Sequence, residues 1–166
     1  MDIWLNALGT KPLSARAVVT LMVNFRIAAL RKEPTLARLI HSMIRVLDEA
    51  RSVAFYKTAF GLDVADRIDF DSFTLIYLSN AESGFELELT VNKGTQTPYD
   101  LGNGYGHLAV SVDDLGAEHA RLKDAGLSPR DIKTLDAPDG GAARFFFIED
   151  PDGYRIEVLE RSWRFA

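Results

Sequence analysis

The chain has 166 residues, 47% hydrophobic and 26% charged, with a formal net charge of -5. That is long enough to bury a core and ordinary for a globular protein, and it supplies no basic field for nucleic acid or an anionic membrane. The absence of cysteine excludes disulfides, thiolate metal ligands and a cysteine nucleophile, and it fits a cytoplasmic protein.

Residues 1–38 differ in composition from the rest. Lys11, Arg16, Arg26, Arg31, Lys32 and Arg38 stand against only Asp2 and Glu33. The apolar stretch Ala17 to Leu30 is broken by Asn24 and Arg26, is too short to span a bilayer and is followed by no clear small-residue cleavage site. The basic, acid-poor bias is also that of an organelle transit peptide. The segment reads as an extension outside the core that can form a short helix, with a single domain over residues 39–161.

That domain reads as one unit written twice, over 39–92 and 105–160. In the first copy a strand over Leu39–Val46 ends at Asp48, a good helix N-cap. A helix is predicted over Glu49–Phe60, with Val53, Tyr56 and Phe60 at helical spacing and Gly61 in the C-terminal glycine position. Three strands follow at Leu62–Asp69, Phe73–Leu78 and Phe85–Val91, with Asn80 and Gly84 as turn residues. The segment Asn92–Tyr105 reads as a linker. The second copy has a strand at His107–Val112, a cap at Asp113-Asp114 and a helix over Leu115–Ala125, ended by Gly126. Strands at Ser128–Thr134, Ala143–Ile148 and Tyr154–Glu160 complete it, the last two joined by the turn Asp150-Pro-Asp-Gly153. The fold class is therefore α+β, with two tandem βαβββ modules forming a cupped mixed sheet.

Each copy opens on a histidine and closes on a strand glutamate: His41 with Glu88, His107 with Glu157. Two imidazoles and two carboxylates at equivalent positions of a repeat can hold one divalent metal with positions left open for substrate. Strand alternation puts Glu86 and Glu88 on one face, with Phe85, Leu87 and Leu89 on the other. Spacing favours Glu88 over Glu86 as the partner of Glu157. His119 lies within the second helix without an equivalent partner and reads as structural. Phe145-Phe146-Phe147 reads as core and subunit contact.

The blocks His41-Ser-Met-Ile-Arg-Val46, Glu88-Leu-Thr-Val-Asn92, Tyr105-Gly-His107 and Asp150-Pro-Asp-Gly-Tyr-Arg-Ile-Glu157 resemble glyoxalase I (lactoylglutathione lyase), of the vicinal oxygen chelate superfamily. The resemblance spans about Leu39 to Glu160. It implies that His41, Glu88, His107 and Glu157 are the ligands of a divalent metal, with nickel or cobalt favoured and zinc possible. It implies a homodimer, each metal taking His and Glu from the first repeat of one subunit and from the second repeat of the other. The implied reaction converts the hemithioacetal of a thiol and a 2-oxoaldehyde such as methylglyoxal into an S-2-hydroxyacyl thioester, a detoxification. Glu157 is implied as the main base and Glu88 as its counterpart, with Arg45 and Asn92 contacting the glutathione moiety.

The chain departs from the family pattern at Asp139, where a lysine usually precedes the paired glycines, and at Lys93, where a tryptophan usually follows the asparagine. An acid there disfavours a glutathione carboxylate, and Lys93, Lys133 and Arg144 are the cations that could offset it. Other activities on this fold are a dioxygenase, an epimerase, a thiol transferase and a metal-free drug-binding resistance protein. The fourth ligand, Glu88, favours the isomerase over them.

Overall fold

The computed structural model describes residues 36–165. The chain divides into two units, Met1–Arg38 and Leu39–Ala166. The expectations for the apolar stretch Ala17–Leu30 and its short helix lie outside the described residues. Among those described, no helix is long and apolar enough to cross a membrane.

In the larger unit the first module runs β1 (His41–Arg45), α1 (Glu49–Phe60), β2 (Asp63–Asp69), β3 (Phe73–Ser79) and β4 (Glu86–Asn92). The second runs β5 (Leu108–Val112), α2 (Leu115–Asp124), β6 (Lys133–Asp136), β7 (Ala142–Glu149) and β8 (Arg155–Glu160). Each module makes its own four-stranded sheet, in the orders β1-β4-β3-β2 and β5-β8-β7-β6. Its first strand crosses over through the helix to pair parallel with its last, and the remaining pairs are antiparallel. The βαβββ unit thus occurs twice, as the repeat predicts.

The helices form where the sequence supplies caps. Asp48 and Asp114 accept the backbone N–H groups of Arg51 and Ala117 at 2.8 and 2.9 Å. Gly61 ends α1 at φ 62, the left-handed conformation that spares glycine a Cβ clash. Ser52, Phe55, Tyr56 and Ala59 form the buried stripe of α1. Ser52 belongs to it, although polar, because its hydroxyl reaches Asp152 at 3.3 Å.

One strand is displaced from its expected place. A strand over Ser128–Thr134 is predicted, whereas the ladder forms at Lys133–Asp136. Pro129 has no N–H to donate, and the segment before Lys133 is held to the sheet by one backbone bond, from Arg130 N–H to the Phe147 carbonyl at 2.8 Å, and by the Arg130–Glu149 ion pair.

One face of each sheet, with its helix, contributes to a single hydrophobic core. Val46, Tyr56, Ile76, Leu78 and Leu89 from the first module join Leu115, Leu122, Phe146, Ile148, Ile156 and Val158 from the second. The turn Asp150-Pro-Asp-Gly153 bolts the modules together. Asp150 accepts from the buried Tyr56 hydroxyl at 2.9 Å. Asp152 accepts from the Leu47 N–H at 3.2 Å, the Ser52 hydroxyl at 3.3 Å and the Arg51 guanidinium at 3.1 Å. Tyr154 accepts through its hydroxyl from the Arg45 N–H at 3.3 Å. What reads as a tight turn in sequence is therefore the joint between the repeats.

Tyr56→Phe should lower stability by about 1–3 kcal/mol, since it strips a donor from a buried carboxylate, measured by urea denaturation. Burial, the largest influence, holds the Asp150 carboxyl above the ordinary aspartate range. The folded state therefore keeps this proton to higher pH than the unfolded chain does. Its contribution is full below the unfolded value and is lost as pH rises through the folded one. The stability of the wild type relative to Asp150→Asn should fall across that interval in pH-dependent denaturation.

Candidate active site

The register of the sheets decides which side chains meet. In β1 and β4, His41 lies opposite Glu86 and Met43 opposite Glu88. His41, Met43, Arg45, Glu86, Glu88 and Thr90 consequently share the face turned away from the core. The imidazole of His41 bypasses Glu86 and meets Glu88, Nε2 to Oε2 at 3.4 Å. The second module repeats this arrangement: His107 precedes β5 and meets Glu157 on β8, Nε2 to Oε2 at 3.1 Å.

Each half-site rests on an aromatic ring from the neighbouring strand. Tyr77, in register with Glu88, sets its ring edge-on to His41 at 5.8 Å. Phe147, in register with Glu157, does the same to His107 at 5.5 Å. Glu88 is buried, and the Thr90 hydroxyl donates to it at 3.3 Å. The hydrogen bond to Glu88 also holds the Tyr77 phenol above its ordinary range.

The four side chains form two pairs rather than one cluster. Among the described residues no three His, Asp or Glu groups of a single chain come together as a metal site. Each pair nonetheless sets an imidazole nitrogen beside a carboxylate oxygen. Two adjacent ligands of an octahedral ion, each about 2.1 Å from it, lie about 3.0 Å apart. The N···O separations of 3.4 and 3.1 Å stand close to that bite, and the donors are the imidazole and carboxylate that suit Ni, Co or Zn.

Arg45 and Asn92 lie along the same face as Glu88. Arg45 is in register with Thr90 and exposed, with no ion-pair partner among the described residues. Asn92 donates through Nδ2 to the Tyr99 hydroxyl at 3.0 Å. Two of the cations that could offset Asp139 are already committed. Lys93 pairs with Asp69 at 3.0 Å, and Arg144 pairs with Glu160 at 2.7 Å. Asp139 accepts from the Gly141 N–H at 3.1 Å, so it stabilises its own turn. His119 meets the Arg130 carbonyl at 3.0 Å and lies edge-on to Phe146 at 5.0 Å, a structural role. Sequence reading missed Tyr77 and Thr90, whose roles depend on cross-strand register and on an i, i+2 spacing along one strand.

Residues 38–158 match the family model described as the Glyoxalase/Bleomycin resistance protein/Dioxygenase superfamily, and the chain belongs to that family. Within it the chain is a glyoxalase I-like lyase. It is 36% identical to a probable lactoylglutathione lyase of Synechocystis, over 75% of this chain and 95% of the relative. It is 37% identical to a lactoylglutathione lyase of Neisseria meningitidis, over 75% of this chain and 91% of that one. Among solved structures, the trypanothione-dependent glyoxalase I of Leishmania major matches at 35% identity with a TM-score of 0.61, covering 75% of this chain and 87% of that one. Glyoxalase I from Zea mays matches at 29% identity with a TM-score of 0.65, covering 76% of this chain and 45% of that one. Membership of the glyoxalase I group carries a divalent-metal requirement.

Because His119 is tied to the Arg130 carbonyl, His119→Ala should cost about 1 kcal/mol of stability. It should leave the metal stoichiometry, measured by elemental analysis after dialysis, at the wild-type value.

Proposed function

We propose that this protein isomerises the hemithioacetal of a thiol and a 2-oxoaldehyde to an S-2-hydroxyacyl thioester, on a divalent metal shared between two subunits. The observation that carries this reading is the pair of equivalent His–Glu half-sites, each with an N···O separation that neighbouring ligands of one ion span and neither sufficient alone. His41 and Glu88 of one subunit would meet His107 and Glu157 of the partner subunit, giving two nitrogens and two oxygens with positions left for substrate. The open faces suit such a dimer. Met43 and Ile68 are 41% and 39% exposed in the single chain, and covering apolar faces of this kind is what drives association.

The bound ion supplies Lewis-acid polarisation of the substrate oxygens, stabilising the negative charge that develops on deprotonation. Glu157, held beside His107, takes the proton from the carbon bearing sulfur and returns it to the neighbouring carbon. Glu88 is its counterpart on the opposite side of the substrate. No bond to the enzyme is formed, and oxidation of the carbon bearing sulfur is balanced by reduction of its neighbour within the same molecule, so the chemistry needs no external oxidant, nucleophile or organic cofactor. Arg45, without an ion-pair partner among the described residues, receives a carboxylate of the thiol, and Asn92 hydrogen-bonds the same moiety. Nickel or cobalt suits a two-nitrogen, two-oxygen octahedral site, with zinc as the alternative. The thiol is glutathione or a related molecule, methylglyoxal is the aldehyde to be detoxified, and the setting is the cytoplasm.

Chelation should abolish turnover of methylglyoxal with glutathione, and nickel or cobalt should restore it; full activity in the metal-free protein would contradict the reading. Glu157→Gln should lower kcat by at least about 100-fold with little change in melting temperature. Sharing of the site is tested by complementation. His41→Ala and His107→Ala proteins should each be inactive, whereas their co-expression should restore roughly a quarter of the sites, since half of the mixed dimers' sites carry both histidines. No recovery on co-expression would rule out a site built from two chains.

A further inference from the structure

The cations of the strands sort by the face they occupy. Among the described residues the strands carry Arg45, Arg67, Lys133, Arg144 and Arg155. Arg67 stands in register with the buried Ile76, and Arg144 shares its face with the buried Phe146, so both lie on the core side of their sheets. Each is ion-paired, Arg67 with Glu49 at 2.8 Å and Arg144 with Glu160 at 2.7 Å. Arg45, Lys133 and Arg155 lie on the open faces, and none has an ion-pair partner among the described residues.

The three differ in what stands near them. Arg45 shares its face with Glu86 and Asp66, two carboxylates outside any ion pair among the described residues. Arg155 lies in register with Glu149, the carboxylate that Arg130 also holds. Lys133 has no acid in register with it: across the ladder come Phe145 and then Leu159. The Phe145 and Phe147 rings meet edge-on at 5.7 Å, and Phe147 meets His107 at 5.5 Å. An aromatic floor therefore runs from the His107–Glu157 pair to an exposed, uncommitted ammonium. Two strand spacings and two residues separate Lys133 from Glu157, about 12 Å between Cα atoms. That is the scale of an extended tripeptide, about 10 Å.

An ammonium alone above apolar rings suits a carboxylate that carries no ammonium of its own. Resting on the isomerase reading above, we propose that Lys133 is a specificity-determining residue that receives the C-terminal carboxylate of a peptide thiol. Arg45, on a face of mixed charge, takes the carboxylate at the end that also bears the amino group. The thiol is thereby selected for a free carboxylate at each end.

The test uses the full-length protein and two methylglyoxal hemithioacetals, one of glutathione and one of its glycine ethyl ester, which masks the C-terminal carboxylate. Wild-type KM should be about 10-fold lower for the free acid, the usual effect of a hydrogen bond between charged groups. The two kcat values should be alike, the pattern of a contact made equally before and during reaction. In Lys133→Gln, KM for the glutathione substrate should rise to that of the ester, and KM for the ester should stay where it was. Lys133→Arg should keep the preference for the free acid. Lys123→Gln, which removes the same charge from an exposed position on α2, should change neither value. An unchanged KM for the glutathione substrate in Lys133→Gln, or an equal rise for both substrates, would overturn the assignment. Calorimetry with S-methylglutathione separates this from failure of the isomerase reading. Binding that depends on Lys133, without turnover of either hemithioacetal, would sink that reading and leave the carboxylate site standing. A wild-type protein that does not bind S-methylglutathione would overturn the site itself.

Discussion

The register of the parallel pair that closes each module carries most of the consequences of this structure. In β1 and β4, Met43 lies opposite Glu88 and Ile44 opposite Leu89, so side chains alternate between core and open face in step on both strands. A shift of one residue would send Glu88 toward α1 and bring Leu89 to the open face. The apolar residues Ile44, Leu87 and Leu89 forbid that slip, since they are buried in the core and would lose that burial. The same constraint acts through Ile156 and Val158 in the second module. The core thus fixes the geometry of the His–Glu pairs through the strands that carry them.

A second constraint comes from the joint between the modules. The aspartates of the Asp150–Gly153 turn spend their acceptors on the other module's helix and backbone. Asp152 alone binds Leu47, Ser52 and Arg51. These bonds begin just beyond the last residue of β1 and just before the first residue of β8. One small polar cluster therefore ties the strand that follows His41 to the strand that carries Glu157. Apart from the exposed Arg51, the ties run through backbone groups and buried side chains, which leave less freedom than exposed ion pairs would.

Duplication supplied the two half-sites, and divergence within the duplicate made them unequal. The His–Glu pairs and their supporting rings occupy matching positions, yet the Thr90 hydroxyl bonds Glu88 whereas Leu159 holds that place beside Glu157. In a single chain the pairs stand apart, so a centre with four protein ligands requires a second copy. The open faces of the sheets, lined partly by apolar residues, supply the surface on which such a copy can seat.

Much of this was legible in the sequence. The repeat, both helices with their aspartate caps, and seven of the eight strands to within about two residues follow from periodicity and turn chemistry. The displaced strand is the one in which Pro129 competes with an extended pattern. The preference for Glu88 over Glu86 also rested on a one-dimensional spacing. In the structure Glu88 stands within reach of His41 at 3.4 Å. What tertiary structure alone decided is everything that depends on two strands meeting: Tyr77 set against Glu88, the commitment of Lys93 to Asp69 and of Arg144 to Glu160, and a turn acting as the bolt between modules. Sequence fixes which side chains share a face, because alternation is local. Which of them touch is set by register and docking, which the chain reaches only when the core is buried.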